Sequence, residues 1–418
     1  MPNTTFSPDA LPDLKDKVFI VTGGNSGIGY YTVAHLAEHG AHVYMCARNV
    51  DKGTEAIARI KKMHPSAHID LLQMDLKDLT SVVAAAQRFL TLETALHGLV
   101  NNAGIMATPF ELTQDGHEAQ WQTNYLSHWV FTHHLLPLML TTSKTLPPGS
   151  VRIVNLTSSG HLQAPKGGIN FDNPALKDAG DMARYGQSKL ANILHTKSLH
   201  KAYGPGSASA TNNEGEIWTS CVHPGLVETN LQEGVNKSNL AMQGVITVLR
   251  KTGMFWSSDR GSYNSLYCVA GGEMKAEQSG GYLEIFGRFG EPTCESKPAR
   301  DGKLAERLEE YTKEEMEKGA LIFNAVISFL DLLPLLALLM MNGFMMLIHL
   351  ILPPPKASAF LTTYWIPGAH AAGLWAEVLD RTTRVYVLVV SLEVSMTVEG
   401  KVVTIVEAGF VETLELSR

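Results

Sequence analysis

The sequence is poor in cysteine. Its four cysteines, Cys46, Cys221, Cys268 and Cys294, lie far apart and form no CxxC pair. That excludes a disulfide framework and a cysteine zinc site, offers no metal-ligand set, and points to a cytoplasmic chain. Positive charge is also scarce. Lys and Arg number 34 against 41 Asp and Glu, for a net charge of −7, which excludes the basic face that nucleic-acid binding needs. The stretch Met1–Lys17 is polar, carries Pro2, Pro8 and Pro12, and contains no apolar h-region, so neither a secretory signal nor an N-terminal membrane anchor is expected. There is no internal repeat. What remains is an ordinary globular balance, 45% hydrophobic and 18% charged over 418 residues.

The chain reads as a polar arm over 1–14, a main domain over 15–319 and an extension over 320–418. Between Lys15 and Val154, short β-branched runs alternate with amphipathic stretches. The runs are Val18–Val21, His42–Cys46, Ile69–Leu72, Gly98–Val100 and Val151–Leu156. The helical stretches are Tyr30–His39, Lys52–Lys62, Leu79–Leu92 and Glu118–Leu140. A further helix over Ala183–Tyr203 and a strand over Ile217–Val222 follow, joined by a small, polar surface loop, Gly204–Glu216. This alternation predicts an α/β fold, a Rossmann-type doubly wound parallel sheet.

The first strand runs into Gly23-Gly24-Asn25-Ser26-Gly27-Ile28-Gly29, and a helix follows at once. Glycine allows a tight turn and close approach of backbone to phosphate, and the helix start supplies free N–H groups. The strand–turn–helix setting makes this a dinucleotide site. The second strand ends Met45-Cys46-Ala47-Arg48-Asn49. An NAD site usually places an acid there for the ribose 2′-hydroxyl. Here no acid is present, and Arg48 stands where a 2′-phosphate would lie, so NADP(H) is the expected cofactor. Asp75, after the third strand, is a candidate for the adenine amino group or for a helix cap.

Tyr185-Gly-Gln-Ser-Lys189 opens a helix, and the i, i+4 spacing puts phenol and ammonium on one face. A free phenol has a pKa of about 10. A nearby ammonium favours the phenolate, so Lys189 is expected to lower the Tyr185 pKa and fit it for acid–base work. Arg152-Ile-Val-Asn155-Leu-Thr-Ser158-Ser159 is a strand ending in hydroxyls, and either serine could bond a substrate oxygen. Asn102, Ala103 and Gly104 follow the fourth strand and could line the cofactor. Asn124 sits inside a helix, where asparagine is a poor former, which suggests a polar task.

Together, Thr22-Gly23-x-x-x-Gly27-Ile28-Gly29, Asn101-Asn102-Ala103-Gly104, Asn124, Ser158, Tyr185-x-x-x-Lys189 and Pro224-Gly225-Leu226-Val227-Glu228-Thr229 resemble the ordered motif set of the short-chain dehydrogenase/reductase family, over about Asp13 to Glu291. The nearest subgroup in pattern is that of retinol dehydrogenases and WW-domain oxidoreductases, common among fungal biosynthetic enzymes. The resemblance implies that Tyr185 is the acid–base residue. Lys189 would hold the nicotinamide ribose, Ser158 would polarise the carbonyl, and Asn124 would hold a water of a proton relay. Pro224, Gly225, Val227 and Thr229 would lie around the nicotinamide carboxamide. It implies hydride transfer between NADP(H) and an alcohol/carbonyl carbon. Two departures stand out. Ser158 and Tyr185 are 27 positions apart, so a segment over Gly167–Ala183 is expected to rim the substrate pocket. The N-terminal anchor usual in retinol dehydrogenases is not expected here, since Met1–Lys17 carries no apolar run.

Leu240, Met242, Val245, Ile246, Val248, Leu249, Met254, Phe255 and Trp256 follow Thr229 and suit either a core helix or the lining for a lipophilic substrate of terpenoid, polyketide or retinoid-like type. The resemblance to fungal biosynthetic enzymes implies a place in secondary metabolite biosynthesis. The alternative from another class is a non-catalytic NADP(H)-binding sensor or scaffold on the same fold. A homo-oligomer is compatible with either. The main domain closes on a charged helix over Ala299–Gly319. The apolar stretch Ala320–Leu352 is long enough to cross a bilayer. It carries Asn324, Asp331, Asn342 and His349, with Pro334 and Gly343, so two shorter apolar helices, packed on the protein or lying at a membrane surface, are expected rather than a span. Thr382–Leu416 reads as strands.

Overall fold

The computed structural model describes residues 6–227, 255–284 and 295–318, and the backbone of three later strands. Two compact units divide the chain, Met1–Asn324 and Ala325–Arg418.

The first unit carries a seven-stranded sheet. Its strands are β1 (Val18–Thr22), β2 (His42–Ala47), β3 (His68–Gln73), β4 (Gly98–Asn101), β5 (Arg152–Leu156), β6 (Trp218–Val222) and β7 (Gly281–Leu283). They lie in the order β3-β2-β1-β4-β5-β6-β7, and every pairing is parallel. The described helices are α1 (Gly27–Glu38), α2 (Val50–Met63), α3 (Leu79–Leu92), α4 (Ala119–Trp121), α5 (Ser127–Ser143), α6 (Asp181–Tyr203), α7 (Ala208–Thr211), α8 (Ser258–Ala270) and α9 (Gly302–Lys318).

Alternation along the strands feeds two cores, one on each face of the sheet. Val18, Ile20, Tyr44, Cys46 and Ile153 join Phe89 of α3, Trp129 of α5 and Leu190 of α6. Phe19, Val21, Val43, Met45 and Val154 join Leu36 of α1, Ile60 of α2 and Leu266 of α8. Helix α9 reaches the first core through Leu308 and Met316. There, Tyr125 and Thr312 share a hydrogen bond of 2.7 Å and the Trp129 indole donates to Glu309 at 3.0 Å. Because all strands run the same way, every loop that follows a strand opens at one edge of the sheet, where doubly wound folds hold their ligands.

Some elements depart from the sequence expectation. Strand β7 was not expected, because three residues carry too little periodicity to be seen. The loop expected over Gly204–Glu216 contains the short helix α7, whose start is capped by Ser207 accepting from Ala210 N at 3.2 Å. The helix expected over Glu118–Leu140 is interrupted by a π-helical turn, Gln122–Leu126. The charged helix begins at Gly302 rather than Ala299, after a 3-10 turn over Pro298–Arg300.

In the second unit, β8 (Ala369–Val378), β9 (Leu388–Val398) and β10 (Lys401–Phe410) form an antiparallel sheet. The first of these strands precedes the expected stretch. The apolar stretch Ala320–Leu352 lies outside the described residues. Among the described residues, no helix is long and apolar enough to cross a membrane.

Candidate active site

The loop after β1 is shaped by its glycines. Gly23 and Gly27 have φ of +64° and +57°, in the left-handed region that favours glycine. A Cβ on Gly29 would strike the Gly23 carbonyl oxygen and lie 2.6 Å from Asn102 Nδ2, so the first turn of α1 packs directly on the loop and on the turn after β4. Helices α2 and α3 are capped by the side chains of Asn49 and Asp78. Ser26, at the start of α1, makes no such bond. Its hydroxyl and the free N–H groups of α1 are left for a ligand anion.

These residues line a cleft of about 1250 Å³. Gly23, Asn25, Ser26 and Gly27 form one part of its wall, Ala103 and Gly104 another, and Arg48 and Asp75 the far end. The volume exceeds the usual drug-sized pocket of roughly 300–1,000 Å³, and the glycine cradle admits backbone-close phosphates, so the residues present fit a dinucleotide. Arg48 is exposed at the end of β2, with Lys52 and Arg59 on the same rim. The Arg59 guanidinium lies 5.0 Å from the centre of the Tyr30 ring. Asp75 does not cap α3, a task taken by Asp78. Its Oδ1 accepts from Lys77 N at 3.0 Å. Ile28, Gly29 and Asn102 shape the cleft from behind its wall. Asn102 Nδ2 donates to the Thr22 carbonyl at 2.8 Å.

A polar chain that was not anticipated runs beneath the cleft. Thr22 Oγ1 accepts from both Asn102 N and Ala103 N at 2.9 Å. Its single proton therefore goes to His128 Nε2, also 2.9 Å away. The ring proton of His128 then sits on Nδ1 and is donated to the Asn124 carbonyl at 3.1 Å. Burial holds His128 neutral and lowers its pKa to about 4. Asn124 lies in the π-helical turn, a distortion common at functional sites. Its side chain clamps Ile105, accepting from its N–H at 2.8 Å and donating to its carbonyl at 3.0 Å, and also donates to Ser188 Oγ at 2.9 Å. The i, i+4 spacing of Asn124 and His128 was the available sequence signal.

At the same edge, Ser158 follows β5 and Tyr185 and Lys189 sit in the first turns of α6. Tyr185 and Lys189 are buried. The Ser158 Oγ accepts from Gly160 N at 3.0 Å, and a Cβ on Gly160 would lie 3.3 Å from that oxygen. Ser159 is exposed, so of the two serines it is Ser158 that meets the phenol. A Cβ on Gly160 would lie 2.7 Å from the Tyr185 ring, so glycine is what lets the ring seat there. Lys189 Nζ donates to the Leu156 carbonyl at 3.1 Å and lies 5.8 Å from the centre of the Tyr185 ring. The position of a Cβ on Gly104 would be 3.0 Å from Asn124 Oδ1 and 3.3 Å from Lys189 Nζ. Asn124 and Lys189 therefore meet at the turn after β4, while Ser158 and Tyr185 meet at Gly160.

The expected pKa relation does not hold in this structure. Burial pushes the Tyr185 phenol up to about 12, with the nearby Ser158 hydroxyl acting to lower it. Burial also pulls Lys189 down to about 7. In a site this dry both groups favour their neutral forms, and desolvation outweighs the charge effect expected from the spacing.

Arg184, beside Tyr185, was also missed. It is buried, donates to the carbonyls of Ala179 and Thr108 at 2.6 and 3.2 Å, and lies 3.4 Å from Glu118. It ties the segments flanking Tyr185 together. Gln187 holds the inserted segment, accepting from Asn170 N and donating to the Pro174 carbonyl, each at 2.9 Å. Pro224 and Gly225 follow β6, beside the end of β5. The Val227 side chain turns toward Gly261 and Ile28. Thr229 and most of the 240–256 segment lie outside the described residues.

A family model described as short chain dehydrogenase matches residues 17–240, more than half of the chain. Short-chain dehydrogenase/reductase drtF of Aspergillus calidoustus is 52% identical over 317 residues, covering 75% of this chain and 98% of its own. Retinol dehydrogenase 12 of Mus musculus is 36% identical over 296 residues, covering 70% and 84%. The crystal structure of an uncharacterised protein from Mycobacterium paratuberculosis shares the fold with a TM-score of 0.55 at 27% identity, covering 75% of this chain and 98% of that one. This chain therefore belongs to the short-chain dehydrogenase/reductase family of NAD(P)-binding oxidoreductases.

Proposed function

We propose that the chain is an NADP(H)-dependent oxidoreductase that interconverts an alcohol and a ketone or aldehyde on a lipophilic small molecule. The observation that carries this reading is the meeting of the Ser158 hydroxyl and the buried Tyr185 ring around Gly160, beside Lys189, at the strand edge that also forms the dinucleotide cleft. A dinucleotide held in this cleft would supply or accept the hydride. Burial keeps Tyr185 protonated at neutral pH, so the phenol carries the proton that a carbonyl oxygen must receive. Ser158 Oγ, fixed by Gly160 N, orients the same oxygen. Lys189, held by the Leu156 carbonyl, places its amine 5.8 Å from the centre of the Tyr185 ring. Asn124 holds the Ile105 backbone and Ser188 in place around them.

Arg48 supports the phosphate-bearing cofactor, since its planar fork can donate twice to a 2′-phosphate. The apolar residues after Thr229 support a lipophilic substrate, and so does the similarity to an enzyme named for retinol. The test is a screen over apolar ketones and aldehydes that follows NADPH absorbance. Turnover of at least one such carbonyl is expected. Tight NADPH binding with no turnover across the screen would favour a sensor or scaffold instead.

A further inference from the structure

The other edge of the sheet carries a second cluster. His42 opens β2 and His68 opens β3, at the strand ends away from the cleft. The register pairs His42 with His68 and Tyr44 with Asp70. Paired residues in parallel strands share a face, and so do residues two apart, so all four side chains emerge together. Among the described residues, His42, His68 and Asp70 are the one group of three whose metal-binding atoms all lie within 4.8 Å of one another.

We propose that His42, His68 and Asp70 form a zinc site that staples the edge strand β3 to β2. Two imidazoles and one carboxylate suit zinc, whereas calcium and magnesium take oxygen ligands. His42 Nε2 and His68 Nε2 lie 2.8 and 3.8 Å from Asp70 Oδ2. Tetrahedral zinc with bonds of roughly 2.0–2.1 Å needs ligand atoms about 3.3 Å apart, midway between these distances. The supporting shell is already built. His42 Nδ1 lies 3.0 Å from Glu93 Oε1, and the Tyr44 hydroxyl donates to the same oxygen at 2.9 Å. A ligating histidine typically gives its other ring nitrogen to a carboxylate in this way, which fixes its tautomer and aims the free nitrogen.

The division between rigid and adjustable parts fits as well. The side chains of His42 and Glu93 are 16% and 18% exposed, while His68 and Asp70 are 64% and 56% exposed. The His68 ring now stacks on His42 with centres 3.6 Å apart. A turn of that exposed ring brings its lone pair to the ion, and water fills the fourth position. The sequence offers no sign of this site, because the ligands meet only through strand pairing.

The test is calorimetric titration of zinc into the chelator-treated full chain, with thermal unfolding alongside. One zinc per chain is expected, with a rise of a few degrees in melting temperature at saturation. His68→Ala and Asp70→Ala, both at exposed positions, should weaken binding at least tenfold and abolish the thermal shift. Glu93→Gln should weaken it 10- to 100-fold, as roughly expected for loss of a supporting carboxylate. NADPH affinity should stay unchanged in His68→Ala. Absence of stoichiometric binding would overturn the proposal and leave plain histidine–carboxylate pairs. Binding that persists unchanged in His68→Ala and Asp70→Ala would overturn it too, as adventitious binding at other histidines.

Discussion

Substituting Gly29 by alanine adds one methyl group where α1 meets the phosphate-facing loop. That methyl would press on the Gly23 carbonyl oxygen and lie 2.6 Å from Asn102 Nδ2 and 3.0 Å from the Gly23 carbonyl carbon. Two of the three obstacles are backbone atoms, which cannot rotate aside. Overpacking of this kind costs about 1–3 kcal/mol. Displacing Asn102 also strains its bond to the Thr22 carbonyl, worth about 0.5–1.5 kcal/mol. Alanine returns roughly 0.5–1 kcal/mol through helix propensity. The net expectation is a loss of about 1–3 kcal/mol in urea unfolding. Because the displaced atoms shape the anion-binding turn, NADPH affinity, read by fluorescence titration, should fall at least tenfold, or about 1.4 kcal/mol. Gly272→Ala is the matched control, since its Cβ would meet nothing within 4 Å. It should be neutral within about 0.5 kcal/mol. If Gly29→Ala behaves like Gly272→Ala in both assays, the packing argument for the loop is wrong.

Three further predictions follow from the same reasoning. Arg48→Ala should remove most of a preference for NADPH over NADH, with each tenfold worth about 1.4 kcal/mol; equal affinity for both cofactors in the parent would refute the phosphate role. Burial lowers the pKa values of His97, His128 and His223 to about 4, against an unfolded value of about 6.5. The unfolded chain therefore binds more protons between those values, so stability present above pH 6.5 is lost as pH falls toward 4, by on the order of 3 kcal/mol per histidine. Urea midpoints that stay flat from pH 7 to 4 would contradict this. A chain ending at Gly319 should stay soluble and keep its NADPH affinity, since every proposed site residue precedes it; recovery only as aggregate would show that the tail belongs to the catalytic fold.

Much of the fold was legible because local pattern and tertiary role agree. Val18–Thr22 and Leu79–Leu92 are bounded by glycine or by a capping aspartate, and their apolar residues face the two cores. The motif residues were legible for the same reason, since a strand, a turn and a helix start leave a local signature. Three things were not. The Thr22–His128–Asn124 chain joins residues more than a hundred positions apart through hydroxyl and imidazole protons whose direction only the assembled network fixes. The Tyr185–Lys189 pair was read from its spacing as a charge effect, yet burial dominates, and burial is a property of the packed site. The His42–His68–Asp70 group depends on strand register, which no local pattern encodes.

The central claim rests on the Tyr185 hydroxyl, and its removal is the most direct test. Tyr185→Phe keeps the ring against Gly160 and deletes only the proton donor. On a carbonyl substrate identified by the NADPH screen, the variant should bind NADPH within about twofold of the parent. Its kcat should fall by the roughly 10²–10⁴-fold that general acid–base catalysis contributes. A kcat within a few-fold of the parent would contradict the account.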